Sequence, residues 1–177
     1  MLKEFLLSKE ESKKDLCGKL SFDHSMPLIG IVLDNEVEDT HKDSIEKLLE
    51  GASALNVEIV VVADTNLDSF SQPNVHYVPY SEQSRKHLMQ ASDVMVALPS
   101  NDLEEMLMNG VIPISHEHKL VSDYNLNSEQ GTAFVYGGAG DVDHWKMFAA
   151  LIRALETYKF PYDWKNIVNS GLESVSK

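Results

Sequence analysis

Three short apolar runs, residues 28–33, 57–63 and 93–98, constrain this chain most. Each is rich in valine and isoleucine and ends at polar residues or proline, the pattern of strands covered on both faces. Helical patterns separate them. Between 40 and 55, Ile45, Leu48, Leu49, Ala52 and Leu55 recur at spacings of three and four, an apolar stripe. Residues 81–91 open on Ser81, a predicted N-cap, and carry Leu88 and Ala91 on one side. Residues 74–80, 111–115 and 132–136 read as further strands, and a short helix over 102–108 stops at Asn109-Gly110. Asp141 is predicted to cap a helix reaching Tyr158 that buries Trp145, Phe148, Ala149, Ile152 and Leu155. Pro161 starts a last helix through Trp164, Ile167, Val168 and Leu172. Strands alternating with helices predict an α/β fold: one doubly wound parallel sheet, a single domain over residues 1–177.

Charge narrows the function. Asp and Glu number 28 against 15 Lys and Arg, a net charge of −13. Nucleic-acid binding needs a basic surface for phosphates, and anionic membrane needs one too, so neither is an expected partner. An anionic small molecule would need a local cationic pocket. The one cysteine, Cys17, excludes a disulfide framework and a multi-cysteine zinc site. Its charged helical stretch, 10–20, predicts a buried, unreactive thiol. No run is long and apolar enough to span a membrane, and the first sixteen residues, MLKEFLLSKEESKKDL, are too acidic for a secretory signal. A cytoplasmic location is therefore expected.

One stretch has the geometry of an anion cradle. Gly137, Gly138 and Gly140 lie in a glycine-rich turn between a strand and a helix, where backbone N–H groups can converge. The Lys-Ser/Thr of a P-loop is missing, and Asp141 as the cap would occupy the donors. His116 and His118, with Glu117 between them, form an incomplete ligand set and are expected in solvent, with no metal. Asp143 and His144 have no nucleophile or third orienting group beside them. No catalytic residue and no cofactor are assigned.

The order of segments resembles the C-terminal, nucleotide-sugar-binding domain of bacterial glycogen synthases and plant starch synthases. Lys13 to Leu16 and Pro27 to Val32 resemble the entry "K-x-x-L…PLIGFV", and Tyr80-Ser81-Glu82 resembles the "Y-D/S-E" opening of a helix. Ser92-Asp93 through Pro99-Ser100 looks like "A-D-x-x-x-x-P-S", and Gly110 to Ile114 like "G-T-I-P-I". Gly131 to Phe134 resembles "G-T-G-F", and Trp164 to Gly171 resembles "W-x-x-L-x-x-x-G-M". The resemblance implies a Rossmann-like sheet, as in one half of a two-domain GT-B glycosyltransferase. It also implies transfer of glucose from a nucleoside diphosphate to an α-glucan, across a cleft between two halves. Such a cleft, with its acceptor-binding half, is not expected within this polypeptide.

The residues depart from that pattern where the chemistry would sit. The resembled enzymes place Arg and Lys after the first strand, in "G-R-L-x-x-x-K-G", to neutralise the diphosphate. Here that loop carries Asp34, Glu36, Glu38 and Asp39, with Lys42 as a shifted substitute. A carboxylate beside a diphosphate is repulsive by several kcal/mol at low effective dielectric. Otherwise the loop reads as a solvated acidic turn capping the next helix. After Pro99-Ser100 the "E-P-x-G-L" segment is missing, and Gly110 arrives several residues early. Counting back from Gly110, Glu105 falls where related transferases contact the ribose. The "T-G-G-L" loop is replaced by residues 116–120, and 64–69 leave room for only a loop or one turn where the family fits a helix.

The expectation is a non-catalytic, degenerate stand-alone domain acting in binding or interaction, with a protein partner, a glucan or a weakly held ADP- or UDP-sugar. Its vestigial nucleotide contacts would be Tyr80, Glu105, Lys42, Gly137, Gly138 and Gly140. The alternative is a nucleotide-sugar-binding half of a glucosyltransferase that needs a separate N-terminal-type partner. A homodimer using faces around Trp145 and Trp164 is a third arrangement.

Overall fold

A computed structural model describes residues 2–64 and 72–176. The loop expected over 64–69 lies, apart from Asp64, outside the described residues. The chain runs α1 (Leu2–Leu20), β1 (Leu28–Leu33), α2 (Asp39–Ala52), β2 (Glu58–Ala63), β3 (Val75–Pro79) and α3 (Glu82–Ala91). It continues β4 (Val94–Val96), α4 (Leu103–Met108), β5 (Ile112–His116), β6 (Phe134–Gly137), α5 (His144–Tyr158) and α6 (Pro161–Val175). The strands form one six-stranded sheet in the order β3-β2-β1-β4-β5-β6, every neighbouring pair parallel. The expected doubly wound α/β sheet is therefore the observed one.

All six residues of β1 are buried, because helices cover both faces of the sheet. One face packs Ile29, Ile31 and Leu33 with Ile45 and Leu49 of α2 and Met147 and Leu151 of α5. The other packs Leu28 and Val32 with Cys17 of α1, Leu88 of α3 and Met106 of α4. Cys17 is buried as expected, and burial pushes its thiol pKa up. The chain builds β2 and β3 outward from β1, then crosses over to build β4, β5 and β6 on the other side. The strand order therefore reverses between β1 and β4, and ligands of open α/β sheets bind beyond the carboxyl ends of such a pair.

Local signals place most ends. Ser81 caps α3, its hydroxyl accepting from the Ser84 N–H in a reciprocal capping box. Asp102 caps α4, and Gly110 leaves that helix at φ +63. At the start of α5 the cap is Asp143, not Asp141: its carboxylate accepts from the backbone N–H of Trp145 (2.9 Å) and Lys146 (3.1 Å). Val142, just before the cap, packs on the same cluster as Met147, a hydrophobic staple that holds the helix start two residues later than expected. The buried stripe of α5 is Met147, Ala150, Leu151 and Ala154, since small residues let the helix approach the sheet. Trp145, expected in the core, is 71% exposed, and Ala149 is exposed as well. Phe148 is half-buried instead, seated against Gly51 of α2.

Candidate nucleotide site at the strand switch point

A cavity of about 210 Å³ opens beyond the carboxyl ends of β1 and β4. Val32, Met89 and Met106 give it an apolar floor, and Asp34, Tyr80, Arg85, Asp102 and Glu105 surround that floor. Of the residues expected to contact a nucleotide, Tyr80 and Glu105 thus come together here. The Tyr80 hydroxyl donates to Glu82 Oε1 at 3.0 Å. Glu105 is held by Arg85 through both guanidinium nitrogens, Nη2 reaching Oε1 at 3.1 Å, and Arg85 also reaches Glu82 at 3.2 Å. The hydrogen bonds to Glu105 outweigh the cost of burial, so the guanidinium is held charged. Arg85 has no counterpart in the sequence reading. Its only signal is the i, i+3 spacing from Glu82 in a helix that opens directly after Tyr80.

The other expected contacts lie elsewhere. Lys42, in the first turns of α2, does not line the cavity and pairs with Asp39 at 3.3 Å. Gly137 ends β6 and Gly138 and Gly140 follow it in the next turn, outside the cavity lined by Tyr80 and Glu105. At their turn the Asp141 carboxylate occupies the concave side, where a Cβ on Gly137 would collide with it. It accepts from the Asp143 N–H at 2.9 Å and from Lys146 Nζ at 2.6 Å. The Lys146 hydrogen bond leads in holding the Asp141 carboxyl below its ordinary range.

At three places on this edge the chain's own carboxylates accept from backbone N–H groups. After β1, the Asp34 carboxylate accepts from the Glu36 N–H at 3.0 Å. Glu38 occupies the N-cap of α2 without a side-chain cap, so the loop does not cap the helix in the way expected, and Asp39 follows in the first turn. After β4, the Asp102 carboxylate accepts from the Glu105 N–H at 3.0 Å, at the end of α4 facing the cavity. After β6, Asp141 and Asp143 take the N–H groups of the turn and of α5. Carboxylates thus cap α4 and α5, whereas after β1 Asp34 takes only a loop N–H and the first turn of α2 has no side-chain cap.

His116 overturns one expectation. It ends β5 at 7% exposure, with Nδ1 lacking a hydrogen-bond partner among the described residues, whereas His118 is exposed. The β5–β6 register shifts at Ser115/His116, and this irregularity ends the ladder with the imidazole beside Tyr136. Burial leads in lowering the His116 pKa below its ordinary 6.5, the nearby His118 adds to that, and Asp141 opposes it. The unfolded chain then binds a proton that the folded one refuses, so this group's contribution to stability is lost as pH falls below 6.5. His116→Asn is expected to flatten that part of the stability profile, measured by urea unfolding at a series of pH values; an unchanged slope would refute it. No group of three or more metal-ligating side chains occurs among the described residues. No helix among them is long and apolar enough to cross a membrane.

No protein-family model and no curated protein matches the chain. Solved structures do resemble it. The catalytic domain of starch synthase IV from Arabidopsis thaliana, bound to ADP and acarbose, superposes with a TM-score of 0.68 at 19% identity over 93% of this chain. UDP-GlcNAc 2-epimerase from Neisseria meningitidis, bound to UDP-GlcNAc, gives 0.55 at 16% identity over 96%. The glycosyltransferase SnogD from Streptomyces nogalater gives 0.54 at 14% over 86%. The chain spans only 38%, 49% and 39% of those three structures, respectively. What they share with it is a fold: its six-stranded parallel sheet flanked by helices matches the Rossmann-like half of GT-B-type structures.

Proposed function

We propose that this domain is a binding module that takes the nucleoside part of a nucleotide or nucleotide sugar at the switch-point cavity and transfers no sugar on its own. The observation that carries this reading is that Asp102 and Asp143 cap α4 and α5 and Asp141 fills the turn after β6, while Asp34 brings a further carboxylate to the cavity rim. Glycosyl transfer from a nucleoside diphosphate needs preorganised positive charge on the departing group. Here the cavity's cation, Arg85, is committed to Glu105 and Glu82. A ribose asks for less. Its hydroxyl groups can donate to Glu105 while the base stacks near Tyr80 over the methionine floor, without bringing charge into an acidic rim. Incubation of the purified chain with ADP-glucose or UDP-glucose and a glucan primer is expected to give no glucose transfer, and measurable transfer would contradict the proposal.

A second reading has one observation in its favour. The chain spans less than half of each structure it resembles, which favours a donor half of a transferase assembled with a separate N-terminal-type partner. In that case activity appears only when the partner is added. A glucan or a protein partner bound without chemistry belongs to the first reading, and a homodimer is checked by sedimentation at two concentrations.

A further inference from the structure

A second concavity lies at the opposite end of the sheet from the nucleotide site. It is a groove of about 380 Å³ between α1 and the corner where α5 turns into α6. Its walls are Leu6, Tyr158, Trp164 and Val168, with the Tyr158 and Trp164 rings edge to face at 4.9 Å. Three lysines, Lys9, Lys13 and Lys165, line it against two carboxylates, Glu10 and Asp93. The Asp93 carboxylate is already spent, on Lys13 at 2.6 Å and on the Leu28 N–H at 2.8 Å. Lys9 donates to two backbone carbonyls, Asn109 at 2.9 Å and Gln90 at 3.3 Å, and forms no ion pair with a carboxylate among the described residues. Burial pushes its pKa down to about 8, with the Asp93 charge opposing and Lys13 adding, as expected for an ammonium with too little countercharge. Lys165 is exposed at the rim.

In a chain of net charge −13, this groove has a local excess of positive charge above an apolar wall. We propose that it binds a small monoanionic amphiphile, a medium-chain carboxylate, with its chain on Trp164, Val168 and Leu6 and its head group between Lys9 and Lys165. An apolar concavity of this size with a few convergent polar groups is the form that small-molecule sites take. The carboxylate supplies the countercharge that Lys9 lacks, and the walls bury the alkyl chain. This site does not depend on the reading of the switch-point cavity.

The test uses decanoate below its micelle concentration, followed by the fluorescence of Trp164 in a Trp145→Phe background. Trp145 is exposed and remote in sequence from the groove, so that change leaves the core intact. The expected result is a saturable blue shift with one site per chain. Decanol and decyltrimethylammonium, which share the chain but not the anionic head, bind about tenfold more weakly or not at all. Lys165→Glu, at an exposed position, is expected to weaken decanoate about tenfold, and Lys9→Met by a similar factor. The proposal is overturned if decanoate gives no saturable signal, if decanol binds equally well, or if Lys165→Glu leaves the affinity unchanged.

Discussion

Replacing Lys13 by alanine is expected to cost about 3–5 kcal/mol of folding stability and to lower the melting temperature by about 10 °C. Lys13 is 2% exposed, yet it carries a charge. Its ammonium sits 2.6 Å from Asp93 and 3.1 Å from the Tyr158 hydroxyl, and 5.5 Å from the centre of the Tyr158 ring. Burial alone would lower its pKa; the charge of Asp93 and the hydrogen bond to it, with Tyr158, reverse that and raise it. The raised value means that this contribution is fully present below the ordinary 10.5 and is lost only as pH rises through the higher folded value. The loss in the variant comes mainly from the Asp93 carboxylate left in its crevice without its hydrogen-bonded ammonium, with Lys9 acting on it only through space. Asp93→Asn, which keeps an acceptor for the Leu28 N–H, combined with Lys13→Met should therefore cost less than the two single changes added together. Thermal unfolding of the four proteins of this cycle provides the measurement, and strict additivity would show that the pair is not coupled. The same pair accounts for two segments on which the resemblance rests, Lys13 to Leu16 and Ser92-Asp93: the pair joins α1 to the start of β4 and to Tyr158 of α5.

Gly131→Ala is expected to have an effect of similar size for a different reason. Gly131 has φ +135, and a Cβ there would lie 2.7 Å from Asp123 O and 2.7 Å from Tyr124 N. These are backbone atoms, so no side-chain rotation relieves the overlap. Around the glycine, the Tyr124 N–H donates to Ala133 O at 2.8 Å, the Asn125 N–H to Gln130 O at 2.8 Å, and the Thr132 N–H to Ser122 O at 2.9 Å. Asp123 in turn accepts from the Val135 N–H and from Arg153, whose guanidinium lies 5.4 Å from the Phe134 ring centre. Strain at the special φ and the steric overlap together amount to about 3–5 kcal/mol. Gly138→Ala is the control: its Cβ meets nothing within 4 Å, and a change within about 0.5 kcal/mol is expected. Urea unfolding of both variants makes the comparison, and equal stabilities would refute the assignment.

The architecture was legible where one physical signal stood alone. Continuous burial gave β1 and β2 their valine and isoleucine runs, Ser81 is a cap because its side chain reaches an N–H three residues on, and Gly110 needs its positive φ. Where two signals competed, the reading missed. Asp141 and Asp143 both suit an N-cap, and only the packing of Val142 decides between them. Trp145 and Met147 both fit helical spacings, but the close approach of α5 at Ala150 and Ala154 selects Met147 for the core. The first helix starts at Leu2 rather than near Glu10, because its buried residues are only Lys13, Leu16 and Cys17 and no long apolar stripe marks it. His116 is buried by a register shift that has no local sequence signature. In the site, Tyr80 and Glu105 were placed by motif order, whereas Arg85 was missed because its partner Glu105 is twenty residues away in sequence.

The acidity of the chain therefore has specific positions as well as a sum. Asp102, Asp141 and Asp143 take backbone donors at α4, in the turn after β6 and at α5, and Asp34 lines the cavity at the strand reversal with Tyr80, Glu105 and the methionine floor. Calorimetric titration of the wild-type chain with adenosine and ADP, and with uridine and UDP, tests this directly. Saturable binding of one of the two nucleosides is expected, with no gain in affinity from its diphosphate. A gain of about tenfold or more from the diphosphate, or the absence of binding by either nucleoside, would contradict it.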